Sequence, residues 1–558
     1  MKDIIAFVNN KEFSKAIKGL QKKLKKDKKN KELYYYLGWI YQLTEDFKNS
    51  KLYYKKAIAL NYKTIEIYQN LAYVCEKIGD LDDLKRSWIE INKIRPSWEL
   101  YANLAKVLQD EGKYEEALSY FHLAIQLNPN NWLLYYNMGN VYRKDNEYNK
   151  AEINYNKAIE LEPNNPNSYL KLGHIQHNMN KYDEAIISYK KAITLHPKFI
   201  QAYHSLSLIY THIKEYEMAI SVYDKVIKLD PLNNSLYFEK GLIYLKLERF
   251  KDAWSFYDYR YYKVNKSDRK EIKFHEELDK NIPVYSGQDI KGKTLYVYSE
   301  QGLGDAIMFA PLLKRFLKDT TIIFKVEEPL FKLFKNSLES ENIKIYRDIP
   351  DKKIKLDYQT RLLNILYNFI LEKGDGLLSP YINLSDNISN KFNFFNKNTF
   401  KVGFSFKGNP IYVDDNNRSL TLEFFLKFFD DYKNISYYSL QKDVSKDDRK
   451  LLNEYGIKSL GEQFGDFYDT SAAINHLDLV ISVDTSVAHL SAAKNKPTWI
   501  LLPYNADWRW GINSDKSYWY GEHVSLFRQN KINNWDETII KVKKSLKSLV
   551  INIKEELV

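Results

Sequence analysis

Residues 134–166 read LYYNMGNVYRKDNEYNKAEINYNKAIELEPNNP, and this stretch shows most clearly how the first half of the chain folds. It places a small residue, Gly139, ahead of a second one, Ala151, and ends its last apolar run shortly before Pro163. Small residues let two helices approach each other closely, and a proline stops the second helix. The stretch therefore predicts a pair of closely packed helices.

The same pattern recurs with a period of 33 or 34 residues. The first small residue of each unit is, in chain order, Gly38, Ala72, Ala105, Gly139, Gly173, Ser207 and Gly241. Twelve residues further on stand Ser50, Leu84, Ala117, Ala151, Ala185, Ala219 and Ala253, and the prolines are Pro96, Pro129, Pro163, Pro197 and Pro231. The period resembles that of tetratricopeptide repeats. It predicts an all-α tetratricopeptide solenoid over residues 1–262, with residues 1–30 as a capping repeat.

In such a solenoid, the first helices of the repeats form an extended concave surface that suits a polypeptide. The residue at one equivalent position of these helices is asparagine in three successive repeats, namely Asn70, Asn103 and Asn137. An amide side chain can both donate to and accept from a peptide backbone, so these residues are candidates for binding a protein or peptide acceptor. The alternative is that each asparagine only bonds a neighbouring helix. The series ends at Lys171, Ser205 and Glu239.

The bulk composition limits the classes of protein to consider. With 558 residues, 44% of them apolar, the chain is long enough for two or three domains. An excess of 84 basic over 72 acidic residues gives a net charge of +12, which suits anionic partners. Much of this excess lies in the lysine-rich residues 22–31, which we interpret as a solvated end of the repeat array. Because the rest is dispersed, we expect no nucleic-acid partner.

Cysteine content and hydropathy indicate the cellular compartment in which we expect the protein. Cys75 is the only cysteine, which excludes an intrachain disulfide and fits a reducing environment. The N-terminal residues MKDIIAFVNNKEF lack the apolar core of a signal peptide. No apolar run approaches the ~18 residues that a membrane span requires. These features predict a cytoplasmic protein without a transmembrane segment.

After residue 262 the repeat pattern gives way to a predicted charged linker over residues 263–292, and then to strands alternating with helices. The predicted strands are apolar runs rich in β-branched and aromatic residues, at 294–299, 321–326, 401–406, 435–440, 478–483 and 498–502. Such runs predict parallel sheets covered on both faces. We expect two Rossmann-like halves, residues 293–395 and 396–558, that face a cleft at the carboxyl ends of their strands.

Residues 299–312, SEQGLGDAIMFAPL, form the first candidate site at such a strand end. Gly302 and Gly304 would let a ligand approach the backbone, and the N–H groups of the following helix would face that ligand. Asp305 stands at the start of this helix. It either caps the helix or acts as a general base that takes a proton from an acceptor hydroxyl.

The stretch DLVISVDTSVAHLSAA, residues 478–493, is the second candidate site. Its strand is followed by Asp484, Thr485 and Ser486, with His489 one helical turn later. The first N–H groups of the helix and the two hydroxyls predict a cradle for a diphosphate, to which His489 would add a donor. Asp484 would repel a phosphate and suits a sugar hydroxyl or a capping role. A structural role for His489 is the alternative.

Two further strand ends carry suitable side chains. Lys407 and Arg418 follow the strand at 401–406, and a pair of cations there would stabilise the charge of a departing diphosphate. Trp508 and Trp510 follow the strand at 498–502, where their rings would stack on a base or a sugar, or else cover the core. Together, the strand ends predict a transferase that uses a nucleotide sugar.

The stretches 299–313, 402–410, 416–420, 438–442, 466–510 and 526–529, with AWSFYDYRYY at 253–262, resemble the bacterial tetratricopeptide-repeat glycosyltransferases. The second half is similar to the ADP-heptose heptosyltransferases of lipopolysaccharide synthesis. The resemblance implies the glycosyltransferase B fold, in which two Rossmann-like domains face a cleft, and inverting transfer without an essential metal. It implies no cofactor other than the nucleotide-sugar donor itself.

By position, the resemblance makes Asp305 the catalytic base. The implied donor-binding residues are Gly302, Gly304, Lys407, Arg418, Asp484, Thr485, Ser486 and His489. Further possible donor or acceptor contacts are Glu300, Gln441, Trp508 and Trp510. Ser486 departs from the glycine usual in heptosyltransferases, so ADP-heptose is not assigned as the donor. The O-linked N-acetylglucosamine transferases share the architecture, but their His-Thr-Thr-Thr stretch has no counterpart here.

The leading interpretation is a transferase that moves a sugar to a hydroxyl of a protein acceptor, such as flagellin or another surface protein, held by the repeats. Two alternatives stay open. In the first, the enzyme builds a surface polysaccharide or lipopolysaccharide, and the repeats bind partner proteins. In the second, the chain is a non-catalytic tetratricopeptide scaffold.

Overall fold

The computed structural model describes residues 2–263, 282–299, 302–316, 319–348, 354–368, 380–382, 392, 395, 399–409, 415–429, 434–512, 514–532 and 534–556. It divides into two compact units, Met1–Ile213 and Lys214–Val558. The first unit is helical. The second contains the last helices of the repeat region and all the described strands.

The first unit consists of helix pairs that follow the period of the sequence. Its helices are α1 (Lys2–Asn9), α2 (Phe13–Lys26), α3 (Lys31–Leu43), α4 (Phe47–Ala59), α5 (Ile65–Ile78), α6 (Leu81–Ile94), α7 (Trp98–Asp110), α8 (Tyr114–Leu127), α9 (Trp132–Lys144), α10 (Tyr148–Leu161), α11 (Pro166–Asn178), α12 (Tyr182–Leu195) and α13 (Ile200–His212). Small apolar clusters join each pair to its neighbours. This arrangement confirms the predicted helical repeats.

Local capping explains where the first helix of a repeat begins. The residue before it carries a side-chain oxygen that accepts from a backbone N–H of the first turn, at Asn30, Thr64, Ser97, Asn131 and Asn165. Such a cap satisfies a donor that has no partner within the helix. The second helices α6, α8, α10 and α12 end two residues before their prolines, as predicted.

In several repeats the small residue is a glycine that packs against an aromatic ring of the second helix. A Cβ atom at Gly139 would lie 2.8 Å from Cε1 of Tyr155, and one at Gly173 would lie 2.5 Å from Cε1 of Tyr189. Both tyrosines are almost completely buried. The glycine therefore makes room for an aromatic ring of the second helix, and the two residues form one packing unit.

Replacing this glycine should destabilise the repeat. We expect Gly173→Val to lower the free energy of unfolding by roughly 1–3 kcal/mol, because the added methyl groups would overlap the ring of Tyr189. Urea unfolding would measure the change. The double variant Gly173→Val/Tyr189→Leu should recover part of the loss, since the smaller side chain leaves space. A single variant as stable as the unsubstituted chain would contradict this packing.

The second unit begins with α14 (Tyr216–Leu229), α15 (Asn234–Lys246) and α16 (Phe250–Tyr257), followed by a 3-10 helix at Asp258–Lys263. Side chains of the last pair belong to the same apolar core as the α/β region. The ring of Trp254 lies 6.2 Å from that of Trp508, centroid to centroid, in an edge-on arrangement. This packing explains why the compact unit starts at Lys214, ahead of residue 262 where the repeat period ends. Of the predicted linker 263–292, residues 264–281 lie outside the described residues.

Two sheets follow. The strands of the first are β1 (Thr294–Tyr298), β2 (Thr321–Lys325), β3 (Ile343–Tyr346) and β4 (Tyr358–Arg361), all parallel in the order β3-β2-β1-β4. The strands of the second are β5 (Phe400–Ser405), β6 (Ile435–Ser439), β7 (Lys458–Ser459), β8 (Leu479–Val483), β9 (Thr498–Leu502), β10 (Lys516–Ser517) and β11 (Gly521–Arg528), in the order β10-β11-β9-β8-β5-β6-β7. In the second sheet only β10 is antiparallel to its neighbour.

Helices connect these strands. They are α17 (Leu303–Phe309), α18 (Leu312–Phe316), α19 (Glu328–Ser337), α20 (Leu362–Asn368), α21 (Asp415–Arg418), α22 (Leu422–Phe425), α23 (Lys446–Glu454), α24 (Phe467–Asn475), α25 (Ser486–Ala493) and α26 (Asp536–Glu556). Short 3-10 helices cover Leu426–Phe428, Gly461–Gln463 and Trp508–Trp510.

The described α/β region confirms the expected mixed α/β architecture with parallel sheets. All six predicted strands are present within one residue of their predicted ends, whereas β3, β4, β7, β10 and β11 were not predicted. In both sheets the chain starts in the middle, extends to one edge, and then crosses to the other side of its first strand. This strand order is that of doubly wound folds, whose ligands bind where the order reverses. The reversal lies between β1 and β4 in the first sheet, and between β5 and β8 in the second.

Candidate functional site

The turn after β1 brings the two sheets of the second unit together. Gly302 precedes α17, and Asp305 lies in the first turn of that helix. A Cβ atom at Gly304 would lie 2.8 Å from Cδ2 of His489 and 3.5 Å from Cα of Ser486. Gly304 thus permits close contact between the turn after β1 and the start of α25. The predicted contact Glu300 lies outside the described residues.

The turn after β8 is the second element of the site. Thr485 directly precedes α25, but its hydroxyl pairs with Ser482 Oγ at 3.0 Å and does not cap the helix in the described structure. The N–H groups of Ser486 and Val487 stand in the first turn, where an α-helix supplies no acceptor of its own. These N–H groups can therefore bind an anion or a polar ligand.

Asp305 forms an ion pair with Arg509, a residue that was not predicted to belong to the site. Nε of Arg509 lies 2.5 Å from Oδ1 of Asp305, and both side chains are nearly buried. Nη1 of Arg509 donates to Oδ1 of Asp507 at 2.6 Å. Burial raises the pKa of Asp305, while the positive charge of Arg509 opposes that rise. We define Asp305, Asp507 and Arg509 as the carboxylate–guanidinium cluster.

His489 is a buried, neutral member of the site. Its Nδ1 lies 3.0 Å from the hydroxyl of Tyr520, and its ring stacks on that of Trp510 with centroids 5.0 Å apart. Its Nε2 lies 3.8 Å from Oδ1 of Asp484. Burial, followed by the positive charge of Arg509, lowers the pKa of His489 from 6.5 to about 3. The ring is therefore uncharged at neutral pH, and can donate or accept a hydrogen bond.

The pKa of Asp484 is shifted upward, whereas that of His489 is shifted downward. Burial, and then the negative charge of Asp507, raise the pKa of Asp484 from 3.8 to about 6. Its side chain is 14% exposed. Asp484 is therefore an ionised carboxylate at neutral pH that is only weakly stabilised by its surroundings. Such a group gains from a ligand that donates a hydrogen bond, for example a sugar hydroxyl.

This shift predicts how stability depends on pH. A carboxyl with a higher pKa in the folded chain favours folding when protonated, and that contribution is lost as the pH rises from 3.8 to about 6. Asp484→Asn removes the titration. We expect the variant to gain up to about 3 kcal/mol relative to the unsubstituted chain across that interval. Urea unfolding of both proteins at each end of the interval would measure it. A stability difference that does not change with pH would contradict the assignment.

The two predicted cations after β5 have different surroundings. The positive charge of Arg418 contributes to the pKa values of Asp305, Asp484 and His489, so Arg418 lies near all three. Its Nε also pairs with Oδ1 of Asp415 at 2.9 Å. Nζ of Lys407 instead lies 2.8 Å from Oδ2 of Asp448.

Gln441, another predicted contact, organises the loop after β5. Its Oε1 accepts from the backbone N–H of Lys407 and from the hydroxyl of Ser405, each at 3.1 Å. These bonds tie the end of β6 to the end of β5. The side chain of Gln441 therefore fixes the backbone that carries Lys407.

The two tryptophans predicted as ligand contacts stack on different rings. Trp510 contributes its ring to the site by stacking on His489. Trp508 stacks on Phe309 with centroids 6.3 Å apart. Both tryptophans are buried, Trp508 at 3% and Trp510 at 2% exposed. Arg509, between them, holds Asp305. Arg509 stands seven residues after the end of β9, and no local feature of the sequence marks it as the partner of Asp305.

The asparagines predicted to bind a peptide lie on first helices of the first unit. They belong to α5, α7 and α9 and are Asn70, Asn103 and Asn137. Asn103 is exposed, and the other two are partly exposed. Nδ2 of Asn70 donates to the hydroxyl of Tyr35, on the preceding first helix, at 3.4 Å. Asn70 thus makes the helix-to-helix contact that the sequence analysis kept as an alternative.

Within the described residues, no group of three or more histidine, cysteine, aspartate or glutamate side chains is arranged to hold a metal ion. Of the helices in the same part of the chain, none combines the length and apolar character needed to cross a bilayer.

Among the solved structures similar to this chain is a MamA protein, with 26% identity over 30% of this chain and 93% of its own, and a TM-score of 0.29. The C-terminal part of a TPR repeat-containing protein from Cytophaga hutchinsonii shares 18% identity over 42% of this chain and 97% of its own, with a TM-score of 0.34. YrrB, a TPR protein with an unusual peptide-binding site, shares 21% identity over 31% of this chain and 89% of its own, with a TM-score of 0.28. No curated protein matches the chain.

Models of the tetratricopeptide repeat match six segments of the chain. The segments are residues 31–64, 98–131, 121–153, 139–180, 166–199 and 200–231. They cover α3, α4 and the helices from α7 to α14, and leave α1, α2, α5 and α6 unmatched. The matched segments of this chain are tetratricopeptide repeats.

Proposed function

We propose that the chain is an inverting glycosyltransferase that moves a sugar from a nucleotide-diphosphate donor to a hydroxyl of an acceptor. The main support for this proposal is the contact of Gly304, in the turn that carries Asp305, with Ser486 and His489 of α25. The turn and α25 each lie after a strand that borders the reversal of strand order in its sheet, where doubly wound folds bind nucleotides. The paired sheets are compatible with the glycosyltransferase B fold.

The donor is bound mainly by the second sheet. The N–H groups at the start of α25 face the diphosphate, and the guanidinium of Arg418 supplies a positive charge beside it. The carboxylate of Asp484 accepts from a hydroxyl of the sugar. The ring of His489 is uncharged, so it adds a hydrogen bond without repelling the guanidinium groups of Arg418 and Arg509. We assign no role to Lys407, because the charges that act on the pKa values of Asp305, Asp484 and His489 include Arg418 but not Lys407.

Asp305 performs the chemical step. Its carboxylate takes the proton of the acceptor hydroxyl, while the hydroxyl oxygen forms a bond to the anomeric carbon on the face opposite the leaving group. The bond from that carbon to the diphosphate oxygen breaks, and the nucleotide diphosphate leaves with the electron pair. Burial makes Asp305 a stronger base than an exposed aspartate. Arg509 holds the carboxylate in position.

The repeats select the acceptor. Amide side chains on successive first helices, such as the exposed Asn103, suit the backbone of an extended polypeptide. We therefore assign a protein acceptor to this enzyme. A glycan acceptor would instead be indicated if transfer occurred to an oligosaccharide and not to peptides.

A thermal-shift screen of nucleotide-diphosphate sugars tests donor binding. A donor present at a hundredfold excess over its dissociation constant stabilises the folded chain by ~2.7 kcal/mol, which raises the melting temperature. We expect Arg418→Glu to lose that rise, because it reverses the charge beside the diphosphate. Arg449→Glu is the matched control, since Arg449 pairs with Glu462 on the surface. Equal shifts in both variants would remove Arg418 from the donor site.

The second candidate is a non-catalytic scaffold, and one observation favours it. The carboxylate of Asp305 is already paired with Arg509 and is only 13% exposed, as is common for a structural ion pair. If the chain is a scaffold, nucleotide sugars cause no thermal shift, and partner proteins bind only to the repeats. The thermal-shift screen therefore separates the two functions.

A further inference from the structure

The two ring nitrogens of His489 have different neighbours. Nδ1 lies 3.0 Å from the hydroxyl of Tyr520, and both residues are buried, with 4% and 5% of their surface exposed. Nε2 lies 3.8 Å from Oδ1 of Asp484 and makes no hydrogen bond with the described residues. A neutral imidazole carries its proton on one nitrogen only, so these neighbours decide which nitrogen can donate to a ligand.

Tyr520 is positioned by the turn between β10 and β11. Its backbone N–H donates to Oγ of Ser517 at 3.3 Å, and the N–H of Trp519 donates to the same oxygen at 3.2 Å. Gly521 follows with a φ of 81°, a backbone conformation that glycine adopts without strain. The ring of Tyr520 also packs on that of Trp510, with centroids 6.4 Å apart. These contacts fix the tyrosine hydroxyl beside the histidine.

Two arrangements of the protons fit the contact between Tyr520 and His489. In the first, the hydroxyl donates to Nδ1, and the ring proton is on Nε2. In the second, Nδ1–H donates to the phenol oxygen. The second leaves the hydroxyl proton without an acceptor, because among the described residues this hydroxyl forms a hydrogen bond only with His489. A buried donor without a partner is costly, so hydrogen bonding favours the first arrangement.

The charge of Asp484 favours the same arrangement. Its pKa of about 6 leaves the carboxylate ionised at neutral pH, and the carboxylate lies on the Nε2 side of the histidine ring. A proton on Nε2 is attracted to this negative charge, whereas a lone pair there is repelled. Burial raises the pKa of Tyr520 well above its ordinary value, so the hydroxyl keeps its proton. Hydrogen bonding and charge therefore agree.

We propose that Tyr520 is a positioning residue, which donates its hydroxyl proton to Nδ1 of His489 and thereby keeps the ring proton on Nε2. His489 then presents a hydrogen-bond donor, and not an acceptor, to a ligand. The ligand atom that meets Nε2 must carry a lone pair, as an oxygen of a diphosphate does. Only this last assignment rests on the proposed function, because the position of the proton is a property of the chain without ligand.

Nitrogen NMR of the full chain, isotopically labelled at the histidine ring nitrogens, tests the position of the proton without a ligand. The signals of His489 are those missing from the spectrum of His489→Gln. We expect a protonated Nε2 and an unprotonated Nδ1. The Nδ1 signal should shift in Tyr520→Phe, because its hydrogen bond is lost. A proton on Nδ1 in the unsubstituted chain, or an Nδ1 signal that Tyr520→Phe does not move, would overturn the inference.

The matched control is Tyr155→Phe. It also removes the hydroxyl of a buried tyrosine, but that hydroxyl donates to Oδ1 of Asn140 in the repeats, at 2.8 Å. The signals of His489 should be the same in this variant as in the unsubstituted chain. Circular dichroism establishes that both tyrosine variants are folded.

Affinity for the nucleoside diphosphates ADP, GDP and UDP tests the consequence for binding. Any of them that binds should bind about threefold to tenfold more weakly to Tyr520→Phe, the usual effect of one hydrogen bond. The same change made together with His489→Gln should have little further effect, since Tyr520 acts through the histidine ring. Equal losses in both backgrounds would contradict the positioning role. If none of the three binds the unsubstituted chain, the diphosphate assignment fails, and the NMR spectrum still decides where the proton lies.

Discussion

Asp305→Asn should reduce the release of nucleotide diphosphate in the presence of donor and acceptor by ~10²–10⁴-fold, the usual contribution of a general base. Asparagine has nearly the same shape as aspartate but cannot take the proton of the acceptor hydroxyl. The measurement is a coupled assay for the free nucleotide diphosphate. Affinity for the donor should change little, because the diphosphate binds to α25 and Arg418 rather than to Asp305.

The control for this variant is Asp447→Asn. Asp447 also lies in the first turn of a helix, but on the exposed surface of α23, so its loss changes the charge equally without touching the site. Its activity should equal that of the unsubstituted chain. Transfer at an unchanged rate by the Asp305 variant would remove Asp305 from the mechanism. A loss of donor affinity as large as the loss of rate would instead indicate a binding role.

Arg509→Met should destabilise the second unit by about 3–5 kcal/mol, because it leaves the nearly buried carboxylate of Asp305, and the partly exposed one of Asp507, without their cation. The methionine retains most of the side-chain volume, so loss of charge is the main change. Hydrogen exchange of the amides of α25, which packs against α17, would report the change.

Two further variants separate the buried pair from ordinary surface charge. Arg449→Met breaks an exposed pair with Glu462 and should cost less than ~1 kcal/mol. The double variant Asp305→Asn/Arg509→Met should lose less stability than the sum of its single variants, since the nearly buried side chain at 305 no longer carries a charge that lacks its cation. Additive losses, or a single variant as stable as the control, would contradict the direct coupling of Asp305 and Arg509.

The helical repeats could be predicted because each rests on contacts within about one period of sequence. The pairing of Gly139 with Tyr155 and of Gly173 with Tyr189 lies inside single repeats, so it recurs as a visible pattern. The six predicted strands are central apolar runs. The missed strands include β7 and β10, which are only two residues long, and β11, where glycine and charged residues interrupt the apolar pattern.

The candidate site could be predicted only in part. Asp305, Asp484 and His489 follow buried strands directly, and parallel sheets place such residues at one edge. Arg509 could not be assigned, because its partner Asp305 is distant in sequence and nothing local indicates the pair. Trp508 and Trp510 read alike in the sequence. Their separation between core and site follows from the 3-10 turn that carries them.

Hydrogen exchange of the chain with and without nucleotide-diphosphate sugars both detects donor binding and locates the donor. We expect protection at residues 484–489 and at α21, which carries Arg418, with little change on the first helices of the repeats. A folded chain in which no nucleotide sugar protects these segments would contradict the claim that this site binds a sugar donor.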